Sequence, residues 1–327
     1  MLKAVITGVA GQDGSYLAEL LLERGYTVYG VRRRLTVEPG HQNLRGVLEH
    51  DRFHLVYGDI GDPTFVSRLL HDVRPHEYYN LAALSHVGQS FHEPVITFEI
   101  DATAVVMQLE AIRTFSPSTR FYQASTSELF GKTPCAAPGH DESARMHPRS
   151  PYAVAKLAAY WATIHAREAW GLHASNGILF NHSSPRRGLD FATRKITRGV
   201  AAVKLGLQSS LRMGDLSSSR DEGLSAEYME AAWRMVQQDA PDDYVIGTGR
   251  SATIEQMFRH VCERAGLAFE DVYELDERFL RPSEVPFLQA HPKKAEEVLG
   301  WRAEHHWEGV LDVMFEHDLR ELTQQMR

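Results

Sequence analysis

The sequence of 327 residues predicts a doubly wound α/β fold of the Rossmann type, a parallel sheet with helices on both faces. Three observations carry that prediction. Short β-branched runs alternate with helical patterns of roughly 10–20 residues through the first half of the chain. A Gly-x-x-Gly-x-x-Gly turn (Gly8, Gly11, Gly14) sits between the first run and the first helical pattern. After about residue 180 the pattern becomes patchier, and prolines at 185, 241, 282, 286 and 292 separate short helices. A smaller C-terminal lobe, partly interleaved with the sheet, completes the expected architecture.

Element by element, Lys3–Thr7 reads as a buried strand. Ser15–Arg24 follows as a helix with Leu17, Leu20 and Leu21 on its apolar face, and Gly25 stands where a left-handed cap is expected. Thr27–Val31, His54–Gly58, Glu77–Leu81, Arg120–Ala124 and Leu172–Phe180 supply further strands. Thr64–Val73, Thr97–Phe115 and Ser150–Gly171 supply the helices between them. In the lobe, Glu227–Gln238, Thr253–Ala265, Lys293–Leu299 and Trp307–Arg320 read as helices. Residues 1–175 are expected to form the dinucleotide-binding domain and residues 176–327 mainly the substrate lobe.

Composition narrows the function classes. With 43% hydrophobic and 24% charged residues, a disordered, collagenous or coiled-coil chain is excluded. No apolar stretch approaches the roughly 18–20 residues that span a bilayer. The apolar start reaches Gly8 at once, so no signal peptide is expected. Cys135 and Cys262 support neither a disulfide framework nor a cysteine metal site. The histidines are scattered, and His305-His306 with His317 lack carboxylates arranged around them, so surface or core roles and no metal are expected. A cytoplasmic enzyme is the favoured class. The 43 acidic against 35 basic side chains, a net −8, argue against nucleic acid as a partner. The local basic groups Arg32-Arg33-Arg34, Arg186-Arg187 and Arg194-Lys195 with Arg198 suit a small anionic ligand, the plain alternative being solvated helix faces.

At the cofactor end, the three glycines let the backbone turn tightly and approach a pyrophosphate at a helix N-terminus. The end of the second strand then selects the dinucleotide. A ribose 2′-hydroxyl calls for an acidic residue there, but the chain reads Val31-Arg32-Arg33-Arg34, whose guanidinium forks match a phosphate, so NADP is favoured over NAD. Asp59-Ile60 after the third strand would flank the adenine, unless Asp59 is a helix cap.

At the chemical end, Tyr152 and Lys156 form Tyr-x-x-x-Lys on a predicted helix. The spacing puts both on one face, where an ammonium lowers a phenol's pKa and also holds the nicotinamide ribose. Ser125-Thr126-Ser127 ends the fifth strand, and the Thr126 hydroxyl there can bond a substrate hydroxyl poised for oxidation. Glu128 could take a proton from the carbon beside the new ketone, the alternative being a capping or surface glutamate.

These residues resemble the extended short-chain dehydrogenase/reductase family and, within it, the GDP-mannose 4,6-dehydratases. The resemblance runs through TGVAGQDGSYLAEL (Thr7–Leu20), YQASTSELFG (Tyr122–Gly131), PRSPYAVAKL (Pro148–Leu157), NGILFNHSSPRRG (Asn176–Gly188), TRKITR (Thr193–Arg198) and Arg281–Trp301, essentially the whole chain. It implies an NADP-binding domain and a nucleotide-sugar lobe. It also implies a mechanism in which Tyr152 removes the sugar 4-hydroxyl proton as hydride passes from C4 to NADP, while Thr126 holds that oxygen and Lys156 supports the tyrosine and ribose. Glu128 would take the C5 proton and help expel water from C6, and hydride would return to C6. By the same resemblance Gln12, Asp13, Leu81 and Ser85 join the cofactor site. Ser85, Asn181, Arg187, Lys195, Arg220, Arg281 and Glu284 would contact the nucleotide sugar, and a homodimer or homotetramer is implied, with Arg32–Arg34 a further candidate subunit contact.

Three departures stand out. Such relatives usually read Asn-Leu-Gly-Ala-Gln-Ser-His-Val where this chain has Asn80-Leu81-Ala82-Ala83-Leu84-Ser85-His86-Val87. The expected Arg-Asp-Trp-Gly-His has become Arg220-Asp221-Glu222-Gly223-Leu224, and Asp215 replaces a common asparagine near the base. All fall on the sugar and base contacts and none on Thr126, Glu128, Tyr152 or Lys156. A 4-epimerase, or a dehydratase of another hexose or heptose, would share the oxidation at C4, but an epimerase has no use for Glu128. A non-catalytic NADP-binding regulator tends to lose the tyrosine or lysine, and both are present.

Overall fold

The computed structural model describes residues 1–34, 42–279 and 283–327. The first half comprises β1 (Lys3–Thr7), α1 (Gln12–Glu23), β2 (Thr27–Arg32), β3 (Phe53–Tyr57), α2 (Pro63–Val73), β4 (Glu77–Asn80), α3 (Val87–Ser90), α4 (Pro94–Phe98), α5 (Ala104–Phe115), β5 (Arg120–Ala124), α6 (Pro151–Trp170) and β6 (Ala174–Leu179). The second half adds β7 (Asn181–Ser183), α7 (Ala192–Lys204), β8 (Leu211–Met213), β9 (Ser219–Leu224), α8 (Ser225–Gln237), β10 (Asp243–Ile246), β11 (Ser251–Thr253), α9 (Ile254–Ala265), α10 (Phe269–Val272), β12 (Tyr273–Leu275), α11 (Lys293–Leu299) and α12 (Trp307–Gln325).

Seven strands in the order β3-β2-β1-β4-β5-β6-β10 form one sheet, and every neighbouring pair is parallel. The strands are near-continuous apolar runs because helices cover both faces. Leu17, Leu21, Met229 and Met235 cover one face, and Leu70, Val105, Ile112 and Ala159 the other. The order in which successive strands are added reverses between β1 and β4, which opens a crevice at their C-terminal ends. Thr7 fastens that fork. Its hydroxyl donates to Asn80 Oδ1 at 2.8 Å and accepts the amide N–H groups of Leu81 and Ala82, each at 3.1 Å. Gly8 beside it has φ +68°, and a Cβ there would lie 2.9 Å from the Ala82 backbone, so only glycine fits.

The lobe has its own core of Ile196, Val200, Met257, Phe258, Val261, Leu311 and Phe315 from α7, α9 and α12. It is interleaved with the sheet: α8 packs on α1, and β10 pairs with β6. A boundary between residues 175 and 176 falls inside β6. The strand β10 is absent from the expected elements because Pro241-Asp242-Asp243 reads as a loop. Arg167 makes that acidic start acceptable in a strand, donating to both Asp243 carboxylate oxygens at 3.0 Å. The expected helix over 97–115 starts at Pro94 and contains a π-helical turn at Glu99–Thr103. The helix α7 is unforeseen, since Thr193, Ile196, Thr197 and Gly199 dilute its helical propensity.

Asp221 staples the lobe strands to the sheet side. Buried on β9, it accepts from Thr248 N (2.9 Å), Thr248 Oγ1 (2.7 Å), Gly249 N (2.8 Å) and Ala290 N (3.1 Å). Asp221→Ala should therefore lower the unfolding free energy by about 3 kcal/mol in a urea titration, since several buried donors lose their acceptor together. A loss below about 1 kcal/mol would mean that those donors find other partners.

Candidate active site

The crevice at the β1/β4 fork holds a cleft of about 510 Å3. Its floor is the glycine turn, with Gly11 as N-cap of α1 and Gly14 in the first helical turn. A Cβ on Gly14 would stand 2.5 Å from the Gly8 carbonyl, so the turn closes only without one. Arg32, Arg33, Asp59, Ile60, Leu81 and Ser85 line the same cleft. Asp59 is not the cap of α2. That role belongs to Asp62, which accepts from Thr64 N at 2.9 Å, whereas Asp59 accepts from Gly61 N at 2.9 Å. Asn43, which sequence reasoning missed, also lines the cleft and donates to the Ala10 carbonyl at 3.1 Å.

Gln12 and Asp13 reach from this turn into the lobe. Gln12 donates to the His182 carbonyl at 3.2 Å and accepts from Ser184 Oγ at 2.9 Å. Asp13 accepts from Ser225 Oγ at 2.7 Å and meets His182 Nε2 at 2.9 Å. His182 Nδ1 faces the Phe180 carbonyl at 2.8 Å. Both ring nitrogens thus face acceptors, which only the imidazolium satisfies. Burial opposes both charges, but the attraction outweighs it: the Asp13 carboxyl is held far below its ordinary range and the His182 imidazole is raised.

A second cleft of about 930 Å3 continues from the first, sharing Asp13, Leu81, Ala83, Ser85, Arg187 and Phe191. Thr126, Glu128, Tyr152 and Lys156 all line it. Ser150 caps α6 by accepting from Ala153 N at 3.1 Å, and Pro151 opens the helix, which fixes Tyr152 and Lys156 in its first two turns. Lys156 Nζ donates to the Ala124 carbonyl at the end of β5, 3.0 Å away, and lies 5.9 Å from the Tyr152 ring centroid. Thr126 begins a short 3₁₀ turn and accepts from Glu128 N at 3.2 Å. Burial first, then Asp101 and Glu128, push the Tyr152 phenol well above its usual value, and the Thr126 hydroxyl and Arg187 work against them. Burial pulls the Lys156 ammonium down and Asp101 opposes that.

The expected substrate contacts differ in how free they are. Asn181, Arg187, Lys195, Arg220 and Glu284 line the second cleft. Arg187 sits at its junction with the first, donating to the His182 carbonyl at 2.8 Å and stacking 4.1 Å over Phe191. Lys195 Nζ lies 3.5 Å over the Phe279 ring. Arg220 and Glu284 pair with each other at 2.8 Å. Arg281 lies outside the described residues. The neighbouring arginines are mostly structural: Arg186 pairs with Glu19 at 2.7 Å, Arg194 with Asp318 at 2.8 Å and Arg198 with Glu321 at 2.6 Å. The last two pairs also correct the expectation for His317. Asp318 and Glu321 do approach it, but both carboxylates are already bound by arginine. Sequence reasoning also passed over His182 as one scattered histidine among many. Its signal was its place inside NHSSPRRG.

Comparisons with known proteins show the family and the fold. The family model described as GDP-mannose 4,6 dehydratase matches residues 5–314. The chain belongs to the GDP-mannose 4,6-dehydratase family. It is 44% identical over 331 residues to the Arabidopsis thaliana GDP-mannose 4,6 dehydratase 1, covering 97% of this chain and 89% of that protein. It is 43% identical over 359 residues to the GDP-mannose 4,6-dehydratase of Yersinia enterocolitica, covering 99% and 95%. The fold matches a UDP-glucose 4-epimerase from Thermotoga maritima solved with UDP-glucose (TM-score 0.86, 24% identity, 98% of this chain and 100% of that one). It also matches a dTDP-glucose 4,6-dehydratase from Bacillus anthracis solved with NAD (TM-score 0.84, 18% identity, 99% and 98%).

The residues that distinguish this member of the dehydratase family have definite places. Glu222 is buried in the wall of the second cleft, its carboxyl pushed up by burial against Arg187, Ser183 and His182. Asp215 lines the far end and accepts from Ser217 N and Oγ at 2.9 and 2.7 Å. Leu84 lines the first cleft. Leu224 is the last residue of β9 and lines neither.

The Asp13–His182 pair has a pH signature. A raised imidazole stabilises fully below its ordinary 6.5 and loses that contribution as pH rises through the higher folded value. Asp13's own contribution, present above its ordinary 3.8, is lost only in strong acid. Asp13→Asn should therefore cost more stability at pH 6 than at pH 9 in paired denaturation curves. Equal costs would mean that His182 is neutral.

Proposed function

We propose that the protein converts GDP-mannose to GDP-4-keto-6-deoxymannose, with Thr126, Glu128, Tyr152 and Lys156 as the reacting set and NADP as cofactor. Membership of the family makes it a hydro-lyase acting on a nucleotide sugar. The observation that carries the residue assignment is the convergence of all four side chains on one cleft that opens into the glycine-turn cleft. In the first cleft Gly8, Gly11 and Gly14 would take the pyrophosphate, Asp59 and Ile60 the adenine end, and Arg32 and Arg33 a 2′-phosphate. The bound nicotinamide supplies a reversible hydride acceptor, so no cofactor is consumed over a turnover.

The chain's own residues then divide the proton work. Tyr152 takes the proton of the sugar 4-hydroxyl, helped by the neighbouring ammonium of Lys156, while Thr126 holds the oxygen. Once C4 is a ketone the C5 proton is acidic, and Glu128 removes it and protonates the departing 6-hydroxyl; the C5–C6 double bond left behind takes back the hydride at C6 and a solvent-exchanged proton at C5. A 4-epimerase reading leaves Glu128 without a task. Asn181, Arg187, Lys195, Arg220 and Glu284 would hold the diphosphate and sugar, with Arg281 in the same role by resemblance. A cytoplasmic setting accords with the two free cysteines; among the described residues no helix is long and apolar enough to cross a membrane. Exposed Val95, Ile96, Phe98, Val154 and Trp161 on α4 and α6 support a homo-oligomer.

Incubation with NADP and GDP-mannose in deuterated water should give a dehydrated 4-keto sugar with deuterium at C5, read by mass spectrometry and NMR. Glu128→Gln should slow that product at least about 100-fold. Recovery of intact GDP-mannose, or inversion at C4 without loss of water, would overturn the dehydratase assignment. For the cofactor, Arg33→Ala should weaken NADP binding by about 10–100-fold and leave NAD within about 3-fold, in a fluorescence titration. Equal losses would remove the 2′-phosphate role.

A further inference from the structure

The strand β9 presents its residues to the second cleft in alternation. Ser218, Arg220 and Glu222 line the cleft, and Ser219, Asp221 and Gly223 between them do not, which is the two-residue period of a strand. The intervening set faces away. Asp221 is bound by Thr248, Gly249 and Ala290, and Gly223 lies against the Tyr228 ring, where a Cβ would stand 2.4 Å from a ring carbon. The ladder with β7 gives the same direction independently. Asn181 and Glu222 are Cα partners in that parallel pair, so their side chains share a face, and Asn181 lines the cleft as well.

The two charged residues on this face are engaged to different degrees. Arg220 donates to Glu284 and to the Val285 carbonyl, each at 2.8 Å. Glu222 is 3% exposed, and its Oε1 is buried with no hydrogen-bond partner among the described residues. A buried acceptor in the wall of a cleft is satisfied when a ligand brings the donor. Position along the cleft then narrows which donor. The chain enters β9 from Asp215 at the far end, where Ser217 caps that carboxylate. By Glu222 it runs beside Asn181, one residue before the His182 that meets Asp13 of the glycine turn. Glu222 therefore belongs to the half of the cleft that joins the cofactor cleft, where the sugar and not the base must lie for C4 to meet the nicotinamide. Sequences that this chain resembles carry tryptophan at this position, and an indole N–H only donates. A carboxyl oxygen accepts, and the donors that a nucleotide sugar brings to this half are the hydroxyls of its hexose.

We propose that Glu222 is a specificity-determining residue whose Oε1 accepts a hydrogen bond from a hydroxyl group of the substrate's hexose. The inference rests on the second cleft holding a nucleotide sugar, as described under the proposed function, and is independent of the dehydration chemistry.

The test is isothermal titration calorimetry of the full-length protein with NADPH, which cannot accept a hydride, so that binding is read without turnover. The probes are GDP-mannose and GDP, which lacks the sugar. Glu222→Leu should weaken GDP-mannose about 10-fold or more and leave GDP within about threefold of the unaltered protein. The retained GDP affinity also shows that the variant is folded. Glu222→Gln keeps an acceptor oxygen and should hold GDP-mannose within about fivefold; a loss as large as that of Glu222→Leu would overturn the hydrogen bond. Equal losses for both ligands in Glu222→Leu would assign the effect to the nucleotide or to the fold and overturn the proposal. Unchanged affinity for both, or a gain for both on removal of a repelling carboxylate, would overturn it equally. So would an unaltered protein that binds GDP-mannose no more tightly than GDP. The expected binding pattern in a protein that yields no dehydrated sugar with NADP would uphold the Glu222 contact and defeat the dehydratase assignment instead.

Discussion

The ion pair between Asp13 and His182 is the constraint on which both clefts depend. Asp13 stands in the first turn of α1, where the helix end favours an anion, and His182 lies on β7, the first strand of the lobe. The pair joins residues 169 positions apart at 2.9 Å. Because the ring is held from both sides, its own backbone carbonyl is fixed as well, and that carbonyl accepts from Gln12 and from Arg187. The glycine turn, the lobe and the arginine at the junction of the two clefts therefore share one buried anchor. Releasing it would let the dinucleotide end and the sugar end of the site drift independently, and transfer of a hydride tolerates little such drift.

Buried carboxylates in this protein sort by how fully they are satisfied. Asp221 accepts four hydrogen bonds away from the clefts and has no oxygen to spare. Asp243 is held by Arg167 and Asn176 on the far side of the sheet. Asp101 and Glu222, beside the reacting set and the sugar cleft, each keep a buried oxygen without a hydrogen-bond partner. Leaving such an acceptor unpaired costs about 1–3 kcal/mol. Asp318, which joins α12 to α7 outside both clefts, also keeps one such oxygen beside Arg194, so the feature is shared by carboxylates at the clefts and by one that only joins elements.

The sheet was legible in the sequence because parallel strands are apolar throughout and the turn at Gly8 permits no other chemistry. Tyr152 and Lys156 were legible because a helix puts residues four apart on one face. What escaped depends on contacts distant in sequence. Asp243 looks like a turn residue until Arg167, 76 positions away, accounts for it in a strand. Arg194 and Arg198 read as anion ligands until α12 brings Asp318 and Glu321 to them. His182 gains its meaning only from Asp13. The π turn is invisible to a 3.6-residue period, so the direction of Asp101 could not be read from spacing.

The departures from the family pattern follow the same logic, divided by whether backbone or side chain carries the role. At Leu84 the group tied into the site is the amide N–H, given to Asp101, and any residue supplies it. Replacing a side-chain amide there leaves the wall of the cofactor cleft anchored. Leu224 ends a strand outside both clefts, so its change acts at most through packing. Glu222 is different, since it adds a carboxyl beside Arg187 and His182 where an indole would carry no charge. Arg187 lines both clefts, so a charged carboxylate beside it competes with any anionic ligand there and a neutral carboxyl does not. Thr126, Glu128, Tyr152 and Lys156, to which we assign the chemistry at C4 to C6, are untouched by this exchange, whereas the wall of the second cleft is altered by it. Any difference between this protein and its relatives should thus appear in substrate affinity and its dependence on pH, ahead of the proton transfers themselves.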